Sequence, residues 1–454
     1  MKIIDEFKKA NIEILYEKAD IYPYAFDTAP MKEDVVLPLL VALPHSTEDV
    51  QKIVKICIKN DLKIISRGAG TCHTSGCKPT KNSIVIHFSK MNKILEINKE
   101  NLTAIVESGV IVGQLQSEVG RFGLFFPPDP SNLKVSTIGG AISLSSGGAR
   151  AFKYGTTKDY ILNVEAVLAD GSIIQTGKNV AKNVTGYNLT QLFVGSEGTL
   201  GIITKATLKL IPKPETTLVT MAYFNSIEEA AIGVNNIINS LLMPSTIDLL
   251  DRNTIETIEK FNPSGWLSYE AMLLIELDGN LDEIKRKNEK LKEVLINSKA
   301  DKIIQATNEF ENEKIWNARR SAFACTAKLK PNVVTEDVVV PRNNIVPLIN
   351  EIKKMCEENN ITVCIMGHAG DGNIHPNFAL DFSDNDEMKR FKKVKDKLFE
   401  LAVKMDGTLS GEHGIGSEKK EYLDMALDKT SYYYMKKIKE VFDKDNRLNP
   451  ELMF

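Results

Sequence analysis

The chain has 454 residues, 43% of them apolar and 26% charged, a balance that suits a globular protein long enough for two or three cores. A formal net charge of -3 leaves no electrostatic footprint for nucleic acid, and the most apolar early run, Val35 to Leu43, is too short for a bilayer and carries Pro38. Six cysteines with neither a dense framework nor a signal-like start read as free thiols in a reducing cytoplasm.

Apolar residues at roughly helical spacing predict a helix over Ile3 to Tyr16, and the aromatics and prolines between Asp20 and Met31 predict an irregular arm laid over another surface. Ser46, with Asp49 three residues later, marks a helix start. A strand at Leu62 to Ser66 then runs into Arg67-Gly68-Ala69-Gly70-Thr71-Cys72-His73-Thr74-Ser75-Gly76. This strand-to-glycine step looks like a dinucleotide fingerprint, but His73 stands where the third glycine belongs and no acidic ribose ligand follows at the right distance, so a Rossmann reading fails. What remains is a loop of exposed amides with one fixed cation, Arg67, which suits a pyrophosphate.

More glycine clusters follow: Ser136-Thr137-Ile138-Gly139-Gly140, Ser145-Ser146-Gly147-Gly148, and Gly195-Ser196-Glu197-Gly198-Thr199-Leu200-Gly201-Ile202-Ile203. They alternate with strand-like runs such as Thr103 to Val110 and Ile161 to Leu168, the latter closed by an Asp170-Gly171 hairpin turn. One elongated anionic cofactor touching several loops accounts for them together. No Gly-x-x-x-x-Gly-Lys-Ser/Thr is present, which argues against a nucleoside triphosphatase.

Beyond Pro212 and Pro214, strands at Thr217 to Phe224 and Ala271 to Leu277 alternate with amphipathic helices at Ile227 to Leu242 and Leu281 to Ile296, a pattern that fits antiparallel strands with helices on one face. A helical segment at Ile315 to Ser321 carries Arg319. The buried strand predicted at Ile361 to Met366 delivers Gly367-His368-Ala369-Gly370-Asp371-Gly372-Asn373-Ile374-His375. After a charged helix, Asp386 to Met405, comes Gly411-Glu412-His413-Gly414-Ile415-Gly416, and a last helix is predicted at Ser431 to Lys444. Three of the chain's six histidines lie in these two motifs. Two imidazoles and a carboxylate suit zinc or ferrous iron and leave coordination positions open for a substrate. Asp371, between the first two histidines, is placed to orient one imidazole.

The Arg67 to Gly76 loop, the Pro128-Asp129-Pro130-Ser131 to Gly148 segment, the Gly195 to Gly201 segment and both C-terminal motifs, in this order, resemble the FAD-dependent D-2-hydroxyacid dehydrogenases of the vanillyl-alcohol-oxidase-type flavoprotein superfamily. That family includes D-lactate dehydrogenases, the glycolate oxidase catalytic subunit and D-2-hydroxyglutarate dehydrogenase. The resemblance covers nearly the whole chain after residue 36. It implies an α+β architecture: a two-subdomain FAD-binding domain, a ferredoxin-like antiparallel-sheet cap and a C-terminal helical segment returning to the FAD domain, with boundaries at 1–35, 36–214, 215–404 and 405–454.

By the same resemblance, FAD is held by Arg67, Gly68, Ala69, Gly70, Thr71, Gly76, Pro128, Asp129, Ser131, Thr137, Gly139, Gly140, Ser145, Gly147, Gly148, Glu197, Gly198, Gly201, Ile202 and Ile203. Relatives with covalent flavin carry a histidine at the position of Thr71, so non-covalent FAD is expected. His368, His375 and Glu412 match the ligands of a divalent metal, zinc or iron. His413 matches the general base, Arg319 the arginine that grips the substrate carboxylate, and Asn377 a polar substrate contact. The expected reaction is oxidation of a D-2-hydroxy acid, D-lactate by first choice, with glycolate or D-2-hydroxyglutarate as alternatives. Electrons are expected to pass to an electron-transferring flavoprotein or another redox protein, because the cysteines offer no iron–sulfur run and no Rossmann fingerprint offers nicotinamide. Readings from other classes are a metal-dependent hydrolase, which leaves the glycine loops without a purpose, and an inert flavin-binding subunit, which leaves the histidine motifs idle.

Overall fold

The computed structural model describes residues 2–30 and 35–453. The chain divides into two compact units, one formed by Met1–Gly147, Thr156–Lys213 and Glu412–Phe454 and the other by Gly148–Gly155 and Pro214–Gly411.

The first unit holds two principal sheets. A four-stranded mixed sheet has the order Glu13–Leu15, Val41–Leu43, Ser83–His87, Lys63–Arg67, and a five-stranded antiparallel sheet has the order Ile94–Asn98, Thr103–Glu107, Ile202–Lys209, Ile161–Val167, Ile173–Gln175. Successive side chains of a strand face opposite ways, and Ile202–Lys209 uses this to serve two cores. Ile202 packs with Ile64 and Ile84, whereas Ile203 packs with Val164 and Phe193. The Asp170-Gly171 turn closes the expected hairpin, with Val167 opposite Ile173. Helix Thr47–Lys59 starts as its sequence implied, Ser46 accepting the Asp49 amide.

Two N-terminal expectations change. The first helix covers only Lys2–Lys9, and Asn11 turns the chain with a left-handed φ of 58°. Glu13–Leu15 is then a strand because it completes the sheet edge against Val41–Leu43, a tertiary pairing that overrides local periodicity. The arm is ordered into short helical turns at Lys18–Ile21 and Tyr22–Ala25, and Met31 at its end lies outside the described residues. Its surface is the glycine loop: the Thr28 amide donates to Cys72 O at 3.1 Å, and the Tyr24 ring stands 5.6 Å from the Arg67 guanidinium.

The C-terminal segment packs into this unit. In helix Lys429–Phe442, Lys439 donates to Thr199 O at 2.8 Å, and Phe442 meets Phe193 edge-on. Leu448 then bridges to Ile64 in parallel.

The second unit is built on a single antiparallel sheet. Strands Thr216–Phe224, Thr246–Asp251, Ala271–Gly279 and Lys302–Gln305 stand in the spatial order fourth, first, third, second, which is the ferredoxin-like arrangement, with helices Ile227–Asn239 and Leu281–Asn297 as crossovers. The sheet continues through Thr362–His368, Asn373–Leu380 and Asn332–Thr335. The Gly148–Gly155 segment is clamped to this unit: Arg150 pairs with Glu276 at 3.3 Å, and both Lys153 and Tyr154 bond Asp278. Phe152 packs so closely on Gly370 that a Cβ there would lie 2.6 Å from its ring. Among the described residues, no helix is long and apolar enough to cross a membrane.

Candidate active site

In the first unit the glycine clusters converge. A Cβ on Gly68 would come 2.2 Å from Thr137 Oγ1, and the Gly195 amide donates to Ile142 O just before Ser145. Thr137 caps the short helix Ile138–Leu144 by accepting the Gly140 amide. Arg67 is 9% exposed, and its Nη1 is buried without a hydrogen-bond partner among the described residues. The amides of Ala69, Gly70 and Thr71 likewise meet no acceptor there. An orphaned guanidinium nitrogen beside unpaired amides, in a loop where Gly70 holds a φ of 74°, is a cradle for a diphosphate, so these residues fit FAD. Ile202 and Ile203 face cores, which leaves only their backbone to meet a cofactor. Pro128 and Gly198 are buried, Ser131 is exposed, and Asp129 is half-buried.

The second histidine motif belongs to the same unit and docks on the Arg67–Gly76 loop. Thr74 Oγ1 donates to His413 O at 3.2 Å, the Ser417 amide donates to Thr74 O, and the His413 ring stacks on His73 with centroids 4.7 Å apart. Glu412 lies against Gly147, whose Cβ would be 2.9 Å from Glu412 Oε2. Glu197, expected at the cofactor, turns its carboxylate to the Ile415 and Gly416 amides at 2.7 and 2.8 Å. Burial raises the Glu197 carboxyl above its ordinary range, since it outweighs those two amides and Lys419.

In the second unit, Thr362–His368 and Asn373–Leu380 form the hairpin that carries the first motif. Its register sets Met366 opposite His375 and His368 opposite Asn373, so both imidazoles emerge on one face. They are 5% and 4% exposed, with ring centroids 5.2 Å apart. The neighbouring strand pairs Asp248 with His368, and the two side chains meet at 2.7 Å through Nδ1. A carboxylate at Nδ1 keeps the proton there and leaves the Nε2 lone pair for a metal, so the donors fit a divalent ion. Asp337 Oδ1 stands 3.7 Å from His375 Nδ1, and Asp337 also receives Asn373 Nδ2, Ser410 Oγ and the Gly411 amide.

Arg319, in the last turn of helix Glu309–Arg320, is 4% exposed and donates its Nε to Asp248 Oδ2 at 2.6 Å. Its two terminal nitrogens make no hydrogen bond among the described residues. Burial alone would raise the Asp248 carboxyl, but Arg319 and His368 outweigh it and hold it below the usual range. Asn377 is fully buried, donating to Cys364 O and His375 O and accepting from Thr335 Oγ1. Asp371 lines a cleft of about 690 Å³ with Phe152 and Arg342. Sequence reasoning missed Asp248 and Asp337. Each reaches its histidine only through strand pairing or a loop return, and no local motif announces either.

Comparison with known proteins agrees with this anatomy. Residues 38–177 match the FAD binding domain family, and residues 213–452 match the family of FAD linked oxidases, C-terminal domain. The chain is 43% identical to the glycolate oxidase subunit GlcD of Bacillus subtilis, over 95% of this chain and 92% of that one. It is 34% identical to a D-lactate dehydrogenase of Archaeoglobus fulgidus, over 99% of this chain and 98% of that one. Its fold superposes on p-cresol methylhydroxylase with a TM-score of 0.80 at 16% identity, covering 99% of this chain and 96% of the other. The cradle, the histidine hairpin and these matches together make the chain an FAD-dependent oxidoreductase of the FAD-linked oxidase family, on a vanillyl-alcohol-oxidase-type fold, alongside glycolate oxidase subunits and D-lactate dehydrogenases.

Proposed function

We propose that the protein oxidises a small D-2-hydroxy acid to the 2-oxo acid, with D-lactate as first choice and glycolate as the second reading because of the 43% identity to a glycolate oxidase subunit. The observation that carries this is the buried line from Arg319 through Asp248 to His368, which sets a carboxylate-binding fork beside a metal-ready imidazole. Bound FAD supplies the acceptor for the C2 hydride, and a divalent ion, zinc or iron, supplies the Lewis acid that acidifies the hydroxyl.

The chain's own residues do the rest. Arg319 takes the substrate carboxylate in its two terminal N–H groups, fixing which face of C2 is presented. His368 and His375 offer ring nitrogens to the metal, and Glu412 is proposed as the third ligand on the family resemblance. His413 takes the hydroxyl proton on a ring nitrogen, a role for which imidazole is suited near neutral pH. Asn377 holds the His375 strand through its buried amide and reaches substrate only by exchanging one of those bonds. The remaining residues named for FAD keep that assignment, with Thr71 leaving the flavin non-covalent. Electrons go to a redox protein such as an electron-transferring flavoprotein, and six free cysteines suit a cytoplasmic setting.

The test is anaerobic mixing of the purified yellow protein with D-lactate, L-lactate, glycolate and D-2-hydroxyglutarate. Bleaching of the flavin by D-lactate or glycolate is expected, and D-lactate should outpace its enantiomer. Bleaching by none of them would overturn the reading.

A further inference from the structure

Asp248 sits at the centre of strand Thr246–Asp251, fully buried, with Leu274 beside it on one flank and His368 on the other. Its two oxygens serve two different groups. Oδ1 takes His368 Nδ1 at 2.7 Å and Oδ2 takes Arg319 Nε at 2.6 Å. A sheet-centre carboxylate has little freedom to move, so displacing either partner must disturb the other.

We propose that Asp248 is a positioning residue that couples metal binding at His368 to carboxylate binding at Arg319, so that the two ligands bind as one linked equilibrium. This rests on the reading that His368 ligates the metal and Arg319 grips the substrate. Asp248 keeps the proton on His368 Nδ1, which makes Nε2 the nitrogen whose lone pair would ligate, and the same carboxylate fixes the plane of the guanidinium fork. Coupling of this kind is reciprocal: whatever metal binding does for the carboxylate, the carboxylate does for the metal.

Asp248→Asn exposes the coupling because an amide has one acceptor and one donor end where the carboxylate has two acceptors. If the amide NH₂ faces His368, the imidazole proton moves to Nε2 and ligation is lost. If it faces Arg319, two donors meet and the fork is released. Either orientation damages one site directly and the other through the shared side chain.

The experiment uses the full-length FAD-loaded protein with Zn²⁺ as probe, its affinity measured by chelator competition, and oxalate affinity read from the flavin spectrum. Asp248→Asn should keep FAD, weaken Zn²⁺ by about 10- to 100-fold and weaken oxalate as well. Arg319→Met, which removes no ligand, should still weaken Zn²⁺ by at least about threefold, and it decides the matter should the Asn variant fail to fold. Unchanged Zn²⁺ affinity in either folded variant would overturn the proposal. His375→Ala, measured in parallel, separates the two levels. If it loses Zn²⁺ while both other variants keep it, the coupling alone is wrong; if it too keeps Zn²⁺, the ligand assignment underneath has failed.

Discussion

Glu197→Gln tests whether a buried carboxylate anchors the second histidine motif. Glu197 is 5% exposed and its carboxylate takes the Ile415 and Gly416 amides. A glutamine offers one oxygen to two amides, so one buried N–H is left facing an NH₂, at a cost of about 1–3 kcal/mol. The pH dependence sharpens the test. Because burial raises this carboxyl, the stability it contributes is fully present below the ordinary carboxylate range and is lost as pH rises through its raised value. Glutamine does not titrate, and every other group cancels in the comparison. The stability gap between wild type and variant is therefore expected to be about 1–3 kcal/mol below the ordinary carboxylate range and to narrow as pH rises through the raised value, as read from urea unfolding of the FAD-loaded proteins. A gap that widens with pH would refute the dominance of burial, and no gap at any pH would refute the anchor itself.

Gly416→Ala should be severe, since φ is 55° and a Cβ would lie 1.8 Å from Thr74 O; about 3 kcal/mol or more is expected in urea unfolding, whereas Gly120→Ala, with open space around it, should change stability by less than about 1 kcal/mol. With Thr71 at the position where covalent relatives carry histidine, acid precipitation should release all the flavin into the supernatant, and colour kept by the pellet would contradict non-covalent binding. If a redox protein is the acceptor, stopped-flow reoxidation of the reduced flavin by oxygen or NAD alone should be slow, and rapid reoxidation without a partner protein would reject that route.

Residues acting within one element or one turn were legible in the sequence. The strand that delivers His368, the Asp170-Gly171 turn and the Ser46 cap each follow from short-range rules, and the structure has all three. The ferredoxin-like alternation was equally plain because its helices and strands have distinct periods. What escaped lies in pairings distant along the chain. Asp248 reaches His368 across a ladder between strands 120 residues apart. Glu197 looked like part of a cofactor loop because its glycine neighbours are typical of one, yet its side chain bonds amides 218 and 219 residues on. The strand at Glu13–Leu15 was hidden for the same reason: its partner edge, not its own sequence, makes it a strand.

Asn449 carries a consequence for how the protein is made. Its amide donates to Ile64 O, its Oδ1 takes the Ser66 amide at 3.1 Å and its Nδ2 donates to Glu197 O at 2.6 Å, tying together the strand that feeds the glycine loop and the segment after Gly195. On a translating ribosome, residues 148–155 and 214–411, which make up the second unit, all emerge before this knot exists, while the FAD-binding unit waits half-built. At ~5–20 residues per second, synthesis from Lys213 to Asn449 takes on the order of 10–50 s. Throughout that interval the exposed edge at Lys63–Arg67 is open to mispairing. The strand that feeds the flavin cradle is thus locked by a residue 383 positions after Ser66, so the cradle is held in place only once Asn449 has been made.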